Sequence, residues 1–312
     1  MSASDATSKE LAPRSADWLS VPEKGTLAGV LTVFWLATAL GRRLVRPFVS
    51  LLALYYTLRD GKVREVIREL HTRIEGERPG FWRVFRHVET FAHVSLDRIF
   101  LLEGKTKGFT FTRDGNHYLE QLQATKTGVI LLGAHVGSFE AMRLGGHEDE
   151  LPLNIVGNFS NARMINHLLY RVSDHVAPKV IHAKPGDVGF VFMIQERVEK
   201  GEMVAILGDR VAEGQDSVVV EFLGRPARFP TGPFMLASLL GCPIYLTFGL
   251  YRAPDRYELS CAPFAEKVVL PRKRRQEALK EYVQQYAHEL EKKVRAAPDN
   301  WFNFFDFWED AS

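Results

Sequence analysis

The run Thr127-Gly128-Val129-Ile130-Leu131-Leu132-Gly133-Ala134-His135-Val136-Gly137-Ser138-Phe139-Glu140 carries most of the information in this chain. Val129–Leu132 is a compact apolar run with β-branched residues, opened by glycine, and reads as a short buried strand. The chain leaves it through small residues, one histidine, and an acid five positions after that histidine. A histidine beside a carboxylate can take a proton from a hydroxyl while the acid orients the ring and stabilises the imidazolium. Small residues between the two, Gly137 and Ser138 among them, allow a substrate to approach the backbone. His135 and Glu140 are therefore the candidate catalytic pair.

From residue 127 onward, the pattern alternates. Strands are expected at Leu153–Val156, Lys179–His182, Met203–Leu207, Val218–Phe222, Pro243–Phe248 and Tyr257–Cys261. Helices are expected at Phe139–Leu144, Asn161–Val172, Val188–Val198 and Gln276–Arg295. Another helix runs from Thr231, with Pro233 in its first turn, to a stop at Gly241. Such alternation predicts an α/β sandwich on a mixed, largely parallel sheet. Loops at the carboxyl ends of such strands carry chemistry. His135, Arg163 and Asp209 all fall at that edge.

The N-terminal part differs. Residues 1–24 are polar and rich in small side chains, the composition of a disordered tail. Residues 25–41 carry no charge, and Arg42, Arg43 and Arg46 follow at once. A stretch of about 17 residues is at the short limit for a span and equally suits a helix lying in the interface. Arginines with Trp35, Tyr55 and Tyr56 suit an anionic membrane surface. Residues 40–100 read as helical. One stripe is Val63, Val66, Ile67 and Leu70, and another is Phe81, Val84, Phe85, Val88 and Phe91. The expected organisation is a tail at 1–24, a membrane-associated helical segment at 25–60 and a catalytic domain at 61–312.

Composition removes several function classes. The net charge of +2 gives no electrostatic case for nucleic acid. Cys242 and Cys261 lack C-x-x-C spacing and read as buried small hydrophobes. No phosphate-cradling, dinucleotide or H-E-x-x-H motif occurs. Gly137-Ser138 does not form a nucleophile elbow. The ten histidines show no metal-ligand spacing, so no metal is expected. Each candidate keeps a structural alternative: a buried hydrogen-bonded role for His135, a helix-dipole role for Glu140, ion pairs for Arg163 and Arg210, and a turn or cap for Asp209.

Four blocks then follow in order. They are His135-x-x-x-x-Glu140, Gly157-Asn158-Phe159-Ser160-Asn161-Ala162-Arg163, Gly208-Asp209-Arg210, and Gly232-Pro233 with Gly241-Cys242-Pro243-Ile244. The series resembles the glycerolipid and lipid A acyltransferase superfamily, most closely the late acyltransferases of lipid A biosynthesis, over about residues 25–310. Phe222-Leu223-Gly224-Arg225-Pro226 is similar to the family's Phe-Phe-Gly-x-Pro turn. Ser138 and Phe139 stand where the family more often has Asn and Trp. The ending Trp301-Phe302-Asn303-Phe304-Phe305-Asp306-Phe307-Trp308 resembles members associated with aryl polyene and xanthomonadin-type pigment lipids.

The resemblance implies a glycerolipid-acyltransferase-like fold with N-terminal membrane-associated helices. It implies an O-acyltransferase at the cytoplasmic face of a bacterial inner membrane, peripheral or single-pass. His135 would be the general base with Glu140 its partner. Arg163, Asp209, Arg210, Gly137 and Ser138 would contact substrate. The acyl donor would be a thioester of acyl carrier protein or coenzyme A, with no other cofactor, and the acceptor a hydroxyl of a lipid or glycolipid. Two other readings remain: a thioesterase or hydrolase using the same pair, and a non-catalytic lipid-binding protein.

Overall fold

A computed structural model describes residues 27–145, 153–157, 179–182, 189–211 and 214–308. The apolar run Val129–Leu132 lies in strand β2 (Val129–Gly133), every residue of it buried. Six other strands join it. They are β1 (Thr110–Asp114), β3 (Leu153–Gly157), β4 (Lys179–His182), β5 (Met203–Leu207), β8 (Ile244–Arg252) and β9 (Arg256–Ala265). Their order across the sheet is β1-β9-β8-β2-β5-β3-β4, and only the β8–β9 pair is antiparallel. A sheet of this kind needs cover on its faces, because its strands are apolar on both. The expected mixed, largely parallel α/β sheet is present.

Helices α5 (Asn116–Ala124), α6 (Phe139–Gly145), α7 (Gly189–Glu199), α8 (Gly232–Leu240) and α9 (Arg275–Ala296) are interleaved with these strands. The largest core cluster lies between α9 and the sheet, where Leu279, Val283, Tyr286, Leu290 and Val294 meet Ile130, Leu132, Ile244 and Leu246. The expected helix at Asn161–Val172 lies outside the described residues. Three elements were not anticipated. Strand β1 is mostly exposed and polar, so it shows no apolar run. The short helix α5 buries only Leu119 and Leu122. Strand β7 (Arg225–Pro230) pairs antiparallel with β6 (Ser217–Phe222) as a separate hairpin. Its two-residue turn, Leu223-Gly224, has positive φ at both positions, as a type I′ turn requires.

Ahead of the sheet come α1 (Leu27–Leu40), α2 (Arg42–Arg59), α3 (Gly61–Glu75) and α4 (Phe81–Leu102). Val63, Val66, Ile67 and Leu70 are buried, as their stripe predicts. In the second stripe Val84 and Val88 are buried, but Phe91 is exposed. The inner face of α4 also carries His87, His93 and Asp97, which no hydrophobic pattern reveals.

Among the described residues no helix is long and apolar enough to cross a membrane, and α1 ends after 14 residues. A single pass through residues 25–58 is thus not supported. Gly41, with φ +81°, breaks the apolar stretch from α2, and α2 is interrupted by arginines. Both helices instead dock on the body. Ala37, Val45 and Val49 pack with Leu96, Ile99 and Phe100.

Arg42 fixes this docking. Its Nε and Nη2 donate to Asp97 at 2.5 and 2.9 Å, and Tyr257 Oη of β9 donates to the same carboxylate at 2.8 Å. Arg46 Nη2 donates to Tyr251 Oη at 2.6 Å. Burial pushes the Asp97 pKa up, although Arg42 and Tyr257 favour its charged form. Removing one member of a buried pair strands the other. Asp97→Ala is expected to cost about 3–5 kcal/mol, whereas Leu58→Ala on the exposed face of α2 stays within about 0.5 kcal/mol. Urea unfolding of both variants measures the difference.

Candidate active site

Sheet register builds the site. Gly133 of β2 is aligned with Leu207 of the parallel strand β5. Two residues further on, both chains leave the same edge of the sheet, and His135 stands beside Asp209. Asp209 Oδ1 lies 2.8 Å from His135 Nδ1, and Oδ2 accepts the His135 backbone N–H at 3.1 Å. Trp301 Nε1 completes the shell, donating to Oδ2 at 3.1 Å. Asp209 is 1% exposed and the His135 side chain 32% exposed, so the carboxylate is sealed while the ring reaches the surface.

The electrostatics follow from this placement. Burial alone would raise the Asp209 pKa, but His135, Arg210 and the Trp301 N–H overcome it and hold the carboxyl at about 2. Burial lowers the His135 pKa, Arg210 lowers it further, and Asp209 opposes both. At neutral pH the pair is a neutral imidazole with Nδ1–H donated to a carboxylate. Nε2 then carries the lone pair, which is the form able to accept a proton.

Glu140 stands elsewhere. It lies in the first turn of α6, where its Oε1 is 2.5 Å from Arg98 Nε of α4. The Ser138 hydroxyl donates weakly to its Oε2 at 3.5 Å. No hydrogen bond or ion pair among the described residues joins Glu140 to His135. The expected His135–Glu140 contact is therefore not formed here, and the carboxylate on the ring is Asp209, which the sequence suggested as a substrate contact. The cause is local. Gly137 turns the chain with φ +70°, and Glu140 follows α6 toward α4.

The other expected contacts also change character. Ser138 is buried and its Oγ accepts from Ala141 N at 3.1 Å, which makes it a cap for α6. Gly137 N donates to Asn300 O and Ser138 N to Gly249 O, both at 2.8 Å. These two amides are occupied and do not form an oxyanion hole as they stand. A Cβ on Gly137 would lie 2.0 Å from Gly249 O, so the glycine is required by close backbone approach as well as by its φ. Arg210 Nη2 donates to Phe302 O at 2.8 Å and its guanidinium sits over the Phe305 ring, so it grips the C-terminal segment. Arg163 and Phe159 lie outside the described residues.

The C-terminal segment, 298–308, is the part sequence reasoning missed. Phe302 N donates to His135 O at 2.9 Å, and Asn300 clasps the backbone of Tyr251 through both its side-chain atoms. Trp301 is fully buried against Phe222, whose ring meets it edge-on at 5.3 Å. The Phe222-Leu223-Gly224 turn thus braces the tryptophan that holds Asp209. The available signal was the density of aromatics at 301–308, although nothing in the sequence gives their target.

Beside β2 and β5 lies a cavity of about 20 Å³ lined by Gly133, Ala134, Phe139, Met142, Leu207 and Gly249, room for about one water. Phe234 is fully buried core among Phe264, Tyr282 and Tyr286. Both cysteines are free and buried, and burial pushes their thiol pKa values up to about 11 for Cys242 and about 12 for Cys261. Neither is a thiolate at neutral pH.

A neutral histidine held by a sealed carboxylate, at the carboxyl edge of a largely parallel sheet, defines a class of α/β proteins equipped for general-base chemistry. Compared with protein-family models, residues 16–309 match bacterial lipid A biosynthesis acyltransferase, and the chain belongs to that family. No curated protein matches the sequence.

Two outcomes test this geometry. Because the folded His135 pKa lies below the ordinary 6.5, activity should be on its plateau at pH 7 and fall only on acidification below about 6.5. A pH–kcat/KM profile measures it. Asp209→Asn should remove the carboxylate that supports the protonated ring, moving that acid limb to still lower pH, and cut the plateau by about 10²–10⁴-fold.

Proposed function

We propose that this lipid acyltransferase transfers a fatty or polyene acyl chain from a thioester donor to a hydroxyl on an amphipathic acceptor, with His135 as general base. The observation that carries the reading is the His135–Asp209 pair with its partly open imidazole. His135 Nε2 takes the acceptor hydroxyl proton as the oxygen attacks the thioester carbonyl. Asp209 fixes the ring tautomer and stabilises the imidazolium. The tetrahedral intermediate collapses by expelling thiolate, which takes the proton back from Nε2. No acyl-enzyme is needed, in keeping with two buried, protonated cysteines. Glu140, anchored by Arg98, is a second acid at the start of α6, and its role is separable from that of Asp209. The donor is an acyl carrier protein or coenzyme A thioester, and the resemblance of the aromatic ending to pigment-lipid members supports a polyene acyl chain on it.

The family and the surface of α1 and α2 support a membrane location, on the cytoplasmic face of a bacterial inner membrane. Leu44, Phe48, Leu51, Tyr55 and Leu58 recur at helical spacing on α2, all exposed, with Trp35 exposed on α1. Such a row, with Arg43 and Arg59 on the same elements, fits a segment lying in the interface.

His135→Ala should fold yet lose transfer of labelled acyl groups to lipid acceptors, and near-normal transfer would overturn the assignment. Glu140→Gln should leave the midpoint of the acid limb in place while Asp209→Asn moves it; a shift for Glu140→Gln alone would return the partner role to Glu140. Product analysis with and without acceptor separates transfer from hydrolysis, since a thioesterase releases free acid at the same rate in both. Replacing Leu44, Leu51 and Leu58 by Gln should reduce sedimentation with anionic phospholipid vesicles at least tenfold without altering unfolding; unchanged sedimentation would remove α2 from the contact.

A further inference from the structure

Away from the catalytic edge, three ligand-type side chains from distant parts of the chain converge. His71 comes from α3, His87 from α4, and Asp299 from the 3-10 turn Pro298–Asn300 that follows α9. Both histidines are fully buried and the Asp299 side chain is 20% exposed. His71 Nε2 lies 3.2 Å from His87 Nδ1 and 3.5 Å from Asp299 Oδ1, and His87 Nδ1 lies 4.0 Å from the same oxygen. All three ligand atoms fall within 4.8 Å of one another.

Those separations have a chemical meaning. Four-coordinate zinc with bonds of about 2.0–2.1 Å places its ligand atoms about 3.3–3.4 Å apart. Two of the three observed edges match that spacing, and the third exceeds it by a side-chain adjustment. Proton placement agrees as well. Glu75 Oε1 lies 3.2 Å from His71 Nδ1, so the carboxylate accepts a hydrogen bond from Nδ1–H and leaves the Nε2 lone pair aimed inward. A carboxylate on the far nitrogen of a metal-binding histidine is the usual outer support of such a ligand. His87 needs only the Nε2–H tautomer to present Nδ1 in the same way. Arg83 pairs with Glu75 Oε1 and with Asp299 Oδ1, the oxygen that faces the histidines, and a carboxylate oxygen has lone pairs for both an arginine and a metal.

We propose that His71, His87 and Asp299 form a binding site for a divalent transition-metal ion of the zinc class, with a structural role. Two imidazoles and one carboxylate suit zinc, and harder ions such as magnesium demand more oxygen ligands. The sequence concealed the site because two ligands are sixteen residues apart and the third is more than two hundred further on. Its position gives the ion a purpose. Asp299 adjoins Asn300 and Trp301, whose contacts with Gly137, Tyr251 and Asp209 hold the catalytic edge together. An ion here would tie α3 and α4 to that segment without touching the reacting atoms.

The test uses the purified full-length protein, stripped with chelator and titrated with Zn²⁺ against a chromophoric competitor. Binding of about one ion per chain, tighter than about 1 µM, is expected, with the melting temperature rising by several degrees. Co²⁺ in its place should give the intense visible d–d absorption of a tetrahedral site. Asp299→Asn, at a partly exposed position, should weaken Zn²⁺ binding at least tenfold, and His71→Gln with His87→Gln should abolish it. Wild-type protein that shows neither the cobalt band nor zinc-dependent stabilisation would overturn the proposal, leaving Arg83 as the cation of the cluster. So would undiminished binding in a folded double variant.

Discussion

A carboxylate with almost no exposure to water is held ionised at the edge of the sheet, and much of the surrounding structure answers its demand for donors. Asp209 gets three: the His135 ring, the His135 backbone N–H and the Trp301 indole. Losing any one leaves buried charge less compensated, and a single charged hydrogen bond is worth about 1.5–3 kcal/mol. The supporting parts can be traced outward. The β2–β5 register aligns the two chain exits, Tyr286 Oη of α9 donates to Gly133 O at 2.7 Å, and Phe222 backs the indole. The same bonds that satisfy the buried charge leave His135 Nε2 with the free lone pair. The stability of this edge and the proposed base thus rest on one arrangement of hydrogen bonds.

The N-terminal helices are tied into this body by charge as well as by apolar packing. Arg42 and Arg46 reach α4 and the β8–β9 hairpin, while the opposite side of α2 displays leucines and aromatics. These arginines would have read as headgroup contacts from their position after an uncharged stretch. The structure turns both inward. One face of the helix pair is committed to the protein, and the other remains available to an interface.

Much of the architecture was readable because burial on both faces forces apolar runs: β2 and β5 stand out, and α9 has an unmistakable stripe. Elements with little buried surface escaped, as with β1, α5 and the proline-flanked β7. The site was legible in part. His135 follows from its place after β2, since exits from such strands are where chemistry collects. Its partner did not follow, because closeness in sequence favoured Glu140 five residues on. The contact with Asp209 spans 74 positions and depends on which strand lies next to β2. Trp301 was further hidden, because an indole N–H aimed at a carboxylate leaves the same trace in sequence as an indole filling a core. Buried histidines on α4 show the same limit, as a helical stripe reveals only its apolar members.

The segment after α9 is threaded through the centre it completes: Asn300, Trp301 and Phe302 touch strands, the loop of His135 and the carboxylate behind it. During synthesis the sheet and its histidine emerge first, and the indole that steadies Asp209 comes near the end. A chain cut short at residue 297 would carry every block of the catalytic series and still have an unsupported aspartate and an unbraced histidine loop. Competence to move acyl groups would thereby be reserved for chains translated through their aromatic tail.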